Sequence, residues 1–146
     1  MISTALAQRL RDAGLVWAPV SGDVFQLAPG AGAGADGELE GDLFTVSDMT
    51  IEAHVYSTGT VLGFNGTTEW ALDSVALEDA LWFPREDQLR DLLQGTFRGL
   101  DRRDSASGVS YRVRVERGGA ARVFESDDPA EAYGLAVLDL IRASAD

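Results

Sequence analysis

The chain contains no cysteine, no lysine and a single histidine, His54. Without cysteine it cannot form a disulfide, use a thiolate nucleophile or bind zinc through sulfur. Without lysine it cannot form a Schiff base or supply the phosphate-binding lysine of a P-loop. A metal site in this chain would have to consist mainly of carboxylates, which suit magnesium or manganese. These absences exclude several classes of enzyme.

The charge of the chain is strongly acidic and unevenly distributed. The 146 residues carry a formal net charge of -12, and a chain of this length fits one domain with an ordinary core. Residues 1–80 hold 12 acids and 2 arginines, whereas residues 81–146 hold 12 acids and 10 arginines. The acidity favours either solubility alone or a partner with a basic surface. Because a phosphate backbone is recognised by a basic patch, we expect no nucleic-acid partner.

The N-terminal residues lack the features of a targeting segment. They include arginines within the first turns and no apolar core of a signal peptide. No run in the chain approaches the ~18 apolar residues of a membrane span. We therefore expect a cytoplasmic protein without a membrane partner.

A helix and a short strand begin the chain and are followed by a glycine-rich loop. The spacing of apolar residues predicts a helix over residues 3–13, with Ser3 as N-cap, and a strand over residues 24–27. Residues 28–41 are rich in glycine and acids, and we expect a flexible loop. The loop matches a dinucleotide fingerprint and a calcium loop only in fragments, because neither motif has its helix. We expect no cofactor and no metal.

Alternating patterns predict an antiparallel meander after the loop. Strands are expected at residues 43–46, 50–56 and 60–64. Asn65-Gly66 is a strong hairpin signal and predicts a return strand through residues 67–72.

The second half of the chain alternates helices and strands. We expect a short helical turn over residues 75–81 and a helix over 84–97 with Pro84 at its first position. Residues 100–108 are polar and indicate a loop, and residues 109–117 alternate like a strand.

The turn at Gly118-Gly119 admits two registers. A two-residue turn would place Val115 opposite Arg122 and mix the faces of the hairpin. A three-residue loop, residues 118–120, would place Val115 opposite Val123 and keep one face apolar, so we expect the three-residue loop.

The last helix has the clearest start signal. Asp128 as N-cap, Pro129 at the first position and Glu131 at the third predict a capping box opening a helix over residues 129–143. Gly134 inside this apolar helix indicates close approach to a strand. We expect a single α+β domain over residues 1–146, with antiparallel sheets of short strands packed by about three helices and a C-terminal half of the order α-β-β-α.

No complete catalytic constellation is present. His54 is isolated, and a nucleophile elbow is absent. The carboxylates Glu69, Asp73, Glu78 and Asp79 would support a metal-dependent hydrolase only if the fold gathered them around one ion. The sequence therefore favours a protein without enzymatic activity, and we predict no catalytic residue.

Aromatic and arginine side chains are the candidates for binding. Trp70 and Trp82 are either core residues or anchors for a protein partner, with Glu69 and Asp73 beside them. The arginines either pair with neighbouring acids or form a small basic face that contacts the acidic half of a second copy, giving a homodimer. These arginines are Arg98, Arg102, Arg103, Arg112 and Arg114.

The segments GFNGTTEWALDSV and LWFPREDQLRDLL resemble small actinobacterial proteins labelled CpaE-like pilus assembly proteins. The resemblance extends over most of the chain. It implies a family without an established activity. Since the chain has no Walker lysine, the resemblance carries over no ATPase residues.

The sequence favours a non-catalytic cytoplasmic interaction or adaptor protein that acts through its acidic half and the aromatic surface near Trp70 and Trp82. Two alternatives stay open. One is a hydrolase with a carboxylate-bound divalent metal, and the other is an immunity or inhibitor protein against a basic partner.

Overall fold

A computed structural model places most of the backbone of the chain. It describes residues 1–27, 42–47, 51–56, 59–64 and 74–145, and the side chains of residues 1–27, 42–47 and 77–145. The loop predicted over residues 28–41 lies outside the described residues.

The described residues form helices and antiparallel strands, which confirms the α+β class. Three sheets have the strand orders β2-β1-β6, β3-β4-β5 and β7-β8-β9. In chain order the elements are α1 (Thr4–Asp12), β1 (Val24–Leu27), β2 (Leu43–Thr45), β3 (Ile51–Tyr56), β4 (Gly59–Phe64), β5 (Ser74–Ala76), β6 (Ala80–Phe83), α2 (Glu86–Leu93), β7 (Phe97–Ser105), β8 (Gly108–Arg117), β9 (Ala120–Ser126) and α3 (Pro129–Ser144).

The chain divides into two compact units, each described here by itself. Unit 1 comprises Met1–Val16 and Pro84–Asp146, and unit 2 comprises Trp17–Phe83. The single domain expected from the length stays a prediction. None of the described helices is both long and apolar enough to cross a membrane.

In unit 1, α3 packs on the sheet β7-β8-β9. Val113 and Val115 of β8 are buried, and α3 buries Tyr133, Ala136 and Val137. Residues directly opposite on antiparallel strands share a face. The α3-facing side of the sheet therefore also includes Leu100, Arg102 and Asp104 of β7, which lie opposite Val113, Tyr111 and Val109.

Helix α1 packs against α3 at Gly134. A Cβ at Gly134 would lie 2.6 Å from Cδ2 of Leu6 and 3.4 Å from Cγ2 of Ile2. The expectation that Gly134 approaches a strand is therefore wrong, because the close neighbour is a helix. The absence of a side chain at this position lets Leu6, which is 1% exposed, occupy the space.

The caps of α1 agree with the sequence. The hydroxyl of Ser3 accepts a hydrogen bond from the N–H of Leu6, as expected for the N-cap. At the other end, Gly14 has φ +113°, and the N–H of Leu15 donates to the carbonyl of Leu10. The N–H of Gly14 also donates to the carbonyl of Arg11, and these two hydrogen bonds together form a Schellman motif.

The start of α3 is confirmed except for the role of Glu131. The carboxylate of Asp128 accepts from the N–H of Ala130, and Pro129 occupies the first turn. Glu131 does not close a capping box onto Asp128. Its two carboxylate oxygens accept from the backbone N–H and the hydroxyl of Ser3, at 2.8 and 2.9 Å. Glu131 therefore links the first turns of α1 and α3.

The hairpin β8–β9 has a two-residue turn, so the expectation of a three-residue loop is wrong. Val115 lies opposite Arg122, and the turn consists of Gly118 and Gly119 alone. Both glycines have positive φ, at +58° and +81°. A two-residue turn of this kind matches the twist of the strands, and this advantage outweighs the mixing of faces. Arg122 is accommodated on the α3-facing side by an ion pair with Asp139.

The segment predicted as a loop over residues 100–108 is mostly strand β7, so the C-terminal half contains one strand more than the predicted α-β-β-α order. The predicted helices and hairpin of this half are present. The sequence did not predict β7, because most of its side chains are exposed and polar and therefore show no apolar alternation.

Helix α2 begins later than expected. Pro84 is buried ahead of the helix, and Arg85 is the N-cap, with its N–H donating to Oε1 of Gln88. The helix ends at Leu93, four residues earlier than expected. The predicted helical turn over residues 75–81 is wrong except for a 3-10 turn at Leu77–Asp79, because residues from Ala80 pair with β1.

In unit 2, the strands expected around residues 24–27, 43–46, 50–56 and 60–64 are confirmed within one or two residues. The partner of β4 on its second edge is β5, with Gly63 opposite Ser74. The return strand predicted over residues 67–72 after Asn65-Gly66 lies outside the described residues.

Candidate functional site

Unit 2 has an aromatic core on one face of the sheet β2-β1-β6. Phe25 lies between Phe44 on β2 and Trp82 on β6 in the strand register. The rings of Phe25 and Phe44 are 5.6 Å apart. Trp17 stacks on Trp82 with centroids 6.2 Å apart and an angle of 10° between the planes. The half-buried position of Trp82 in this cluster favours the core interpretation over an exposed anchor.

A buried carboxylate accepts hydrogen bonds from the aromatic core and from the backbone just before β1. Asp23 is 1% exposed and accepts hydrogen bonds from Nε1 of Trp17 at 2.8 Å and from the N–H of Val20 at 3.0 Å. The indole N–H of Trp82 is buried and has no acceptor among the described residues. The role of Asp23 was not found from the sequence. The Trp17–Asp23 spacing across a turn was the available signal.

The charges of the chain divide between the two units. All 12 cationic side chains are arginines of unit 1, which also contains 13 acids. Unit 2 contains 11 acids and neither arginine nor lysine. The formal charges are therefore -11 for unit 2 and -1 for unit 1. The division is sharper than the asymmetry between the sequence halves, because residues 1–16, which contain Arg9 and Arg11, belong to unit 1.

Few of the carboxylates of unit 2 have described side chains. Asp42, Glu78 and Asp79 are exposed. Glu69, Trp70 and Asp73, which the sequence suggested as binding residues, lie outside the described residues, and His54 has no described side chain. Within the described residues, no group of three or more carboxylate or histidine side chains could hold a metal ion.

The candidate arginines of unit 1 mostly pair with acids. Arg112 contacts Glu125 at 2.9 Å, and Arg114 contacts Asp101 at 2.9 Å. Arg98 lies 3.6 Å from Glu116, and Arg102 lies 2.7 Å from Asp104. The predicted alternative of salt bridging therefore describes four of the five arginines. The partners Asp101 and Asp104 were missed because β7, the strand that carries them, was interpreted as a loop.

The five arginines do not share one face. Arg112 and Arg114 of β8 lie on the side opposite α3, and Arg103 joins them because it is opposite Ser110. Arg102 lies on the α3-facing side, opposite Tyr111. Arg103 makes no ion pair with a described residue and contributes only a longer-range attraction to Glu125.

Two of these side chains have shifted pKa values. A hydrogen bond from Ser110, followed by the hydrogen bond and charge of Arg112, lowers the pKa of Glu125 from its ordinary value. A hydrogen bond to Tyr111, followed by the charge of Asp104, raises the pKa of Arg102. Both shifts favour the charged form of the side chain.

A small crevice lies beside α3 in unit 1. Its volume is about 30 Å³, which is large enough for a few water molecules. Leu93, Val115 and Ala136 form its apolar floor, and Arg117, Arg122 and Asp139 lie at its rim. Small-molecule sites are about ten times larger, so the crevice supports no substrate.

Comparisons with protein-family models, with curated proteins and with solved structures find no match to this chain. The resemblance to CpaE-like pilus assembly proteins therefore stays an expectation.

Proposed function

We propose that the protein is a non-catalytic interaction module of the cytoplasm whose unit 2 binds a partner protein with a cationic surface. The supporting observation is the division of charge, with 11 acids and no arginine or lysine in unit 2. Each arginine or lysine within an acidic protein surface weakens the attraction of that surface for a basic partner. A unit without any cationic residue attracts a basic surface over about a Debye length, roughly 8 Å at physiological salt.

The aromatic side chain of Trp82 is not part of the proposed contact. It packs with Trp17 and Phe25 and stabilises the sheet that presents the acidic residues. The exposed carboxylates of Asp42, Glu78 and Asp79 are the described members of the contact surface.

The test compares two triple variants with equal changes of charge. Asp42→Asn, Glu78→Gln and Asp79→Asn neutralise three acids of unit 2. Glu86→Gln, Asp87→Asn and Asp91→Asn neutralise three exposed acids of α2 in unit 1. Immobilised wild-type protein is expected to retain a basic protein from an extract of its own cells and to release it at about 0.5 M NaCl, where screening is strong.

The unit 2 variant should bind the retained protein at least about tenfold more weakly at low salt, and the unit 1 variant should match the wild type. Equal loss in both variants, or retention that salt does not weaken, would contradict the proposal. An immunity or inhibitor protein would use the same surface, and the identity of the retained protein separates that role from an adaptor.

A further inference from the structure

Strand β7 is a long strand at the edge of the sheet in unit 1. It spans nine residues and pairs with β8 along one side. Residues 100–105 are all exposed, and within the described part of the chain no strand pairs with the outer side of β7. Unpaired N–H and C=O groups along such an edge can bind a strand of another chain.

The charges on β7 alternate in sign along both faces. Asp101 and Arg103 lie on the side opposite α3, and Arg102 and Asp104 lie on the α3-facing side. Asp101 is paired to Arg114, and Arg102 is paired to Asp104. Arg103 is the charged residue of β7 without an ion pair to a described residue. An added strand that places a carboxylate opposite Arg103 would complete the pairing.

We propose that β7 pairs antiparallel with β7 of a second copy of this chain, around a two-fold axis at Arg102. This register places Asp101 opposite the partner's Arg103, and Arg103 opposite the partner's Asp101. Opposite charges directly across antiparallel strands are stabilising. The two sheets become one continuous sheet of six strands, and the interface is isologous, as a closed dimer requires.

Neighbouring registers of the same symmetry are less favourable. An axis at Asp101 would oppose Asp101 to its own copy, and an axis at Arg103 would oppose Arg103 to its own copy. The first places two carboxylates face to face and leaves Arg103 opposite Gly99. The second places two unpaired Arg103 side chains face to face, and the Arg102–Asp104 pairs that it adds join charges that are already paired. In the proposed register the two Arg102 side chains meet, but each is already held by its own Asp104 at 2.7 Å.

The charge of unit 1 is compatible with pairing at this edge. Unit 1 carries only -1, so two copies can approach through it with little repulsion. This inference does not depend on the binding of a cationic partner by unit 2.

The first test measures molar mass by light scattering over a range of protein concentrations. Wild-type protein is expected to reach about 31 kDa, twice the 15.6 kDa of one chain. Arg103→Glu should weaken the dimer by at least about tenfold, because it places two carboxylates opposite each other twice. Arg117→Glu, which changes an exposed arginine of the same sheet by the same charge, should leave the dimer unchanged.

The second test uses the absence of cysteine to check the register. Arg102→Cys is expected to form a covalent dimer with a short bis-maleimide, since residues on the axis have Cβ atoms about 5 Å apart. Leu100→Cys should crosslink to Asp104→Cys in a mixture of the two variants and much less to itself. Arg142→Cys at the end of α3 is the control and should not crosslink.

A monomeric wild type at all concentrations would overturn the inference, as would a dimer that Arg103→Glu does not weaken or a failure of Arg102→Cys to crosslink. None of these results affects the proposed function, which is read from the two triple variants of acidic residues. If the unit 2 variant no longer binds the basic protein but still forms the dimer, the partner-binding surface and the dimer interface are different surfaces.

Discussion

Glu125 is the single residue that reports most directly on the register of the sheet in unit 1. Its pKa is lowered because Ser110 and Arg112 hydrogen-bond to its charged form. We expect an NMR titration of its carboxyl carbon to have a midpoint below that of an ordinary glutamate, and Arg112→Gln to move that midpoint upward. The contribution of the charge to stability is present above the ordinary pKa and is lost as pH falls through the lowered value.

Arg142→Gln, far along α3, is the control for Glu125 and should leave the midpoint unchanged. A midpoint that does not respond to Arg112→Gln would show that the two residues are not opposite each other.

Gly134 and Leu6 provide a residue-scale test of the contact between α1 and α3. Gly134→Ala should destabilise the protein by about 1 kcal/mol, because overpacking costs about 2 kcal/mol and the gain in helix propensity returns about 1 kcal/mol. With Leu6→Ala the clash disappears, so Gly134→Ala should then stabilise by about 1 kcal/mol. Urea unfolding of the four proteins measures this reversal of sign, and parallel effects in both backgrounds would contradict the contact.

At the scale of elements, the first turn of α3 depends on Asp128. Partial burial raises the pKa of Asp128, but hydrogen bonds from the Met1 ammonium and the N–H of Ala130 outweigh it and lower the pKa from its ordinary value. Asp128→Ala removes both the cap and the charge and should cost about 1 kcal/mol in the free energy of unfolding. Asp128→Asn keeps the cap and should cost less.

The pH dependence separates the two roles of Asp128. The stability difference between wild type and Asp128→Asn should be constant well above pH 3.8 and shrink as pH falls below 3.8, because the lowered pKa delays protonation in the folded state. Chemical unfolding at several pH values measures this difference. A difference that persists unchanged at the lowest pH would mean that charge is not involved.

Elements with local signals could be predicted, and elements fixed by distant partners could not. The starts of α1 and α3 could be predicted because Ser3 and Asp128 act on backbone groups a few residues away. Strand β7 was missed because its arginines and acids find partners such as Arg114, which only the fold brings near. The register of the hairpin β8–β9 was predicted wrongly because the geometry of its two-glycine turn outweighed the apolar pattern around Val115.

At the scale of the whole molecule, the uneven charge opposes the compact state of unit 2. Raising NaCl from about 10 to about 150 mM shortens the Debye length from roughly 30 to 8 Å and screens repulsion among its acids. We expect the melting temperature to rise over this range. The exposed ion pairs of unit 1 lose little, because such pairs contribute about 0–1 kcal/mol each. A falling melting temperature would mean that ion pairs outweigh repulsion.

The charge asymmetry of the candidate site was visible in the sequence, but its boundary was not. Composition divided the chain near residue 80, whereas the contacts assign Trp17–Phe83 to one unit and leave every arginine outside it. Glu69, Trp70 and Asp73 stay predictions. For Trp82, local sequence could not separate core from surface, since the decision rests on stacking with Trp17 from another segment.

The division of arginines between the units also determines how trypsin digests the protein. Trypsin cleaves after arginine and lysine, and there is neither between Arg11 and Arg85. Complete digestion therefore releases the whole of unit 2 within one peptide, residues 12–85, while unit 1 is cut into short fragments. Peptide mapping with trypsin resolves only unit 1, and a glutamate-specific protease is needed to map unit 2.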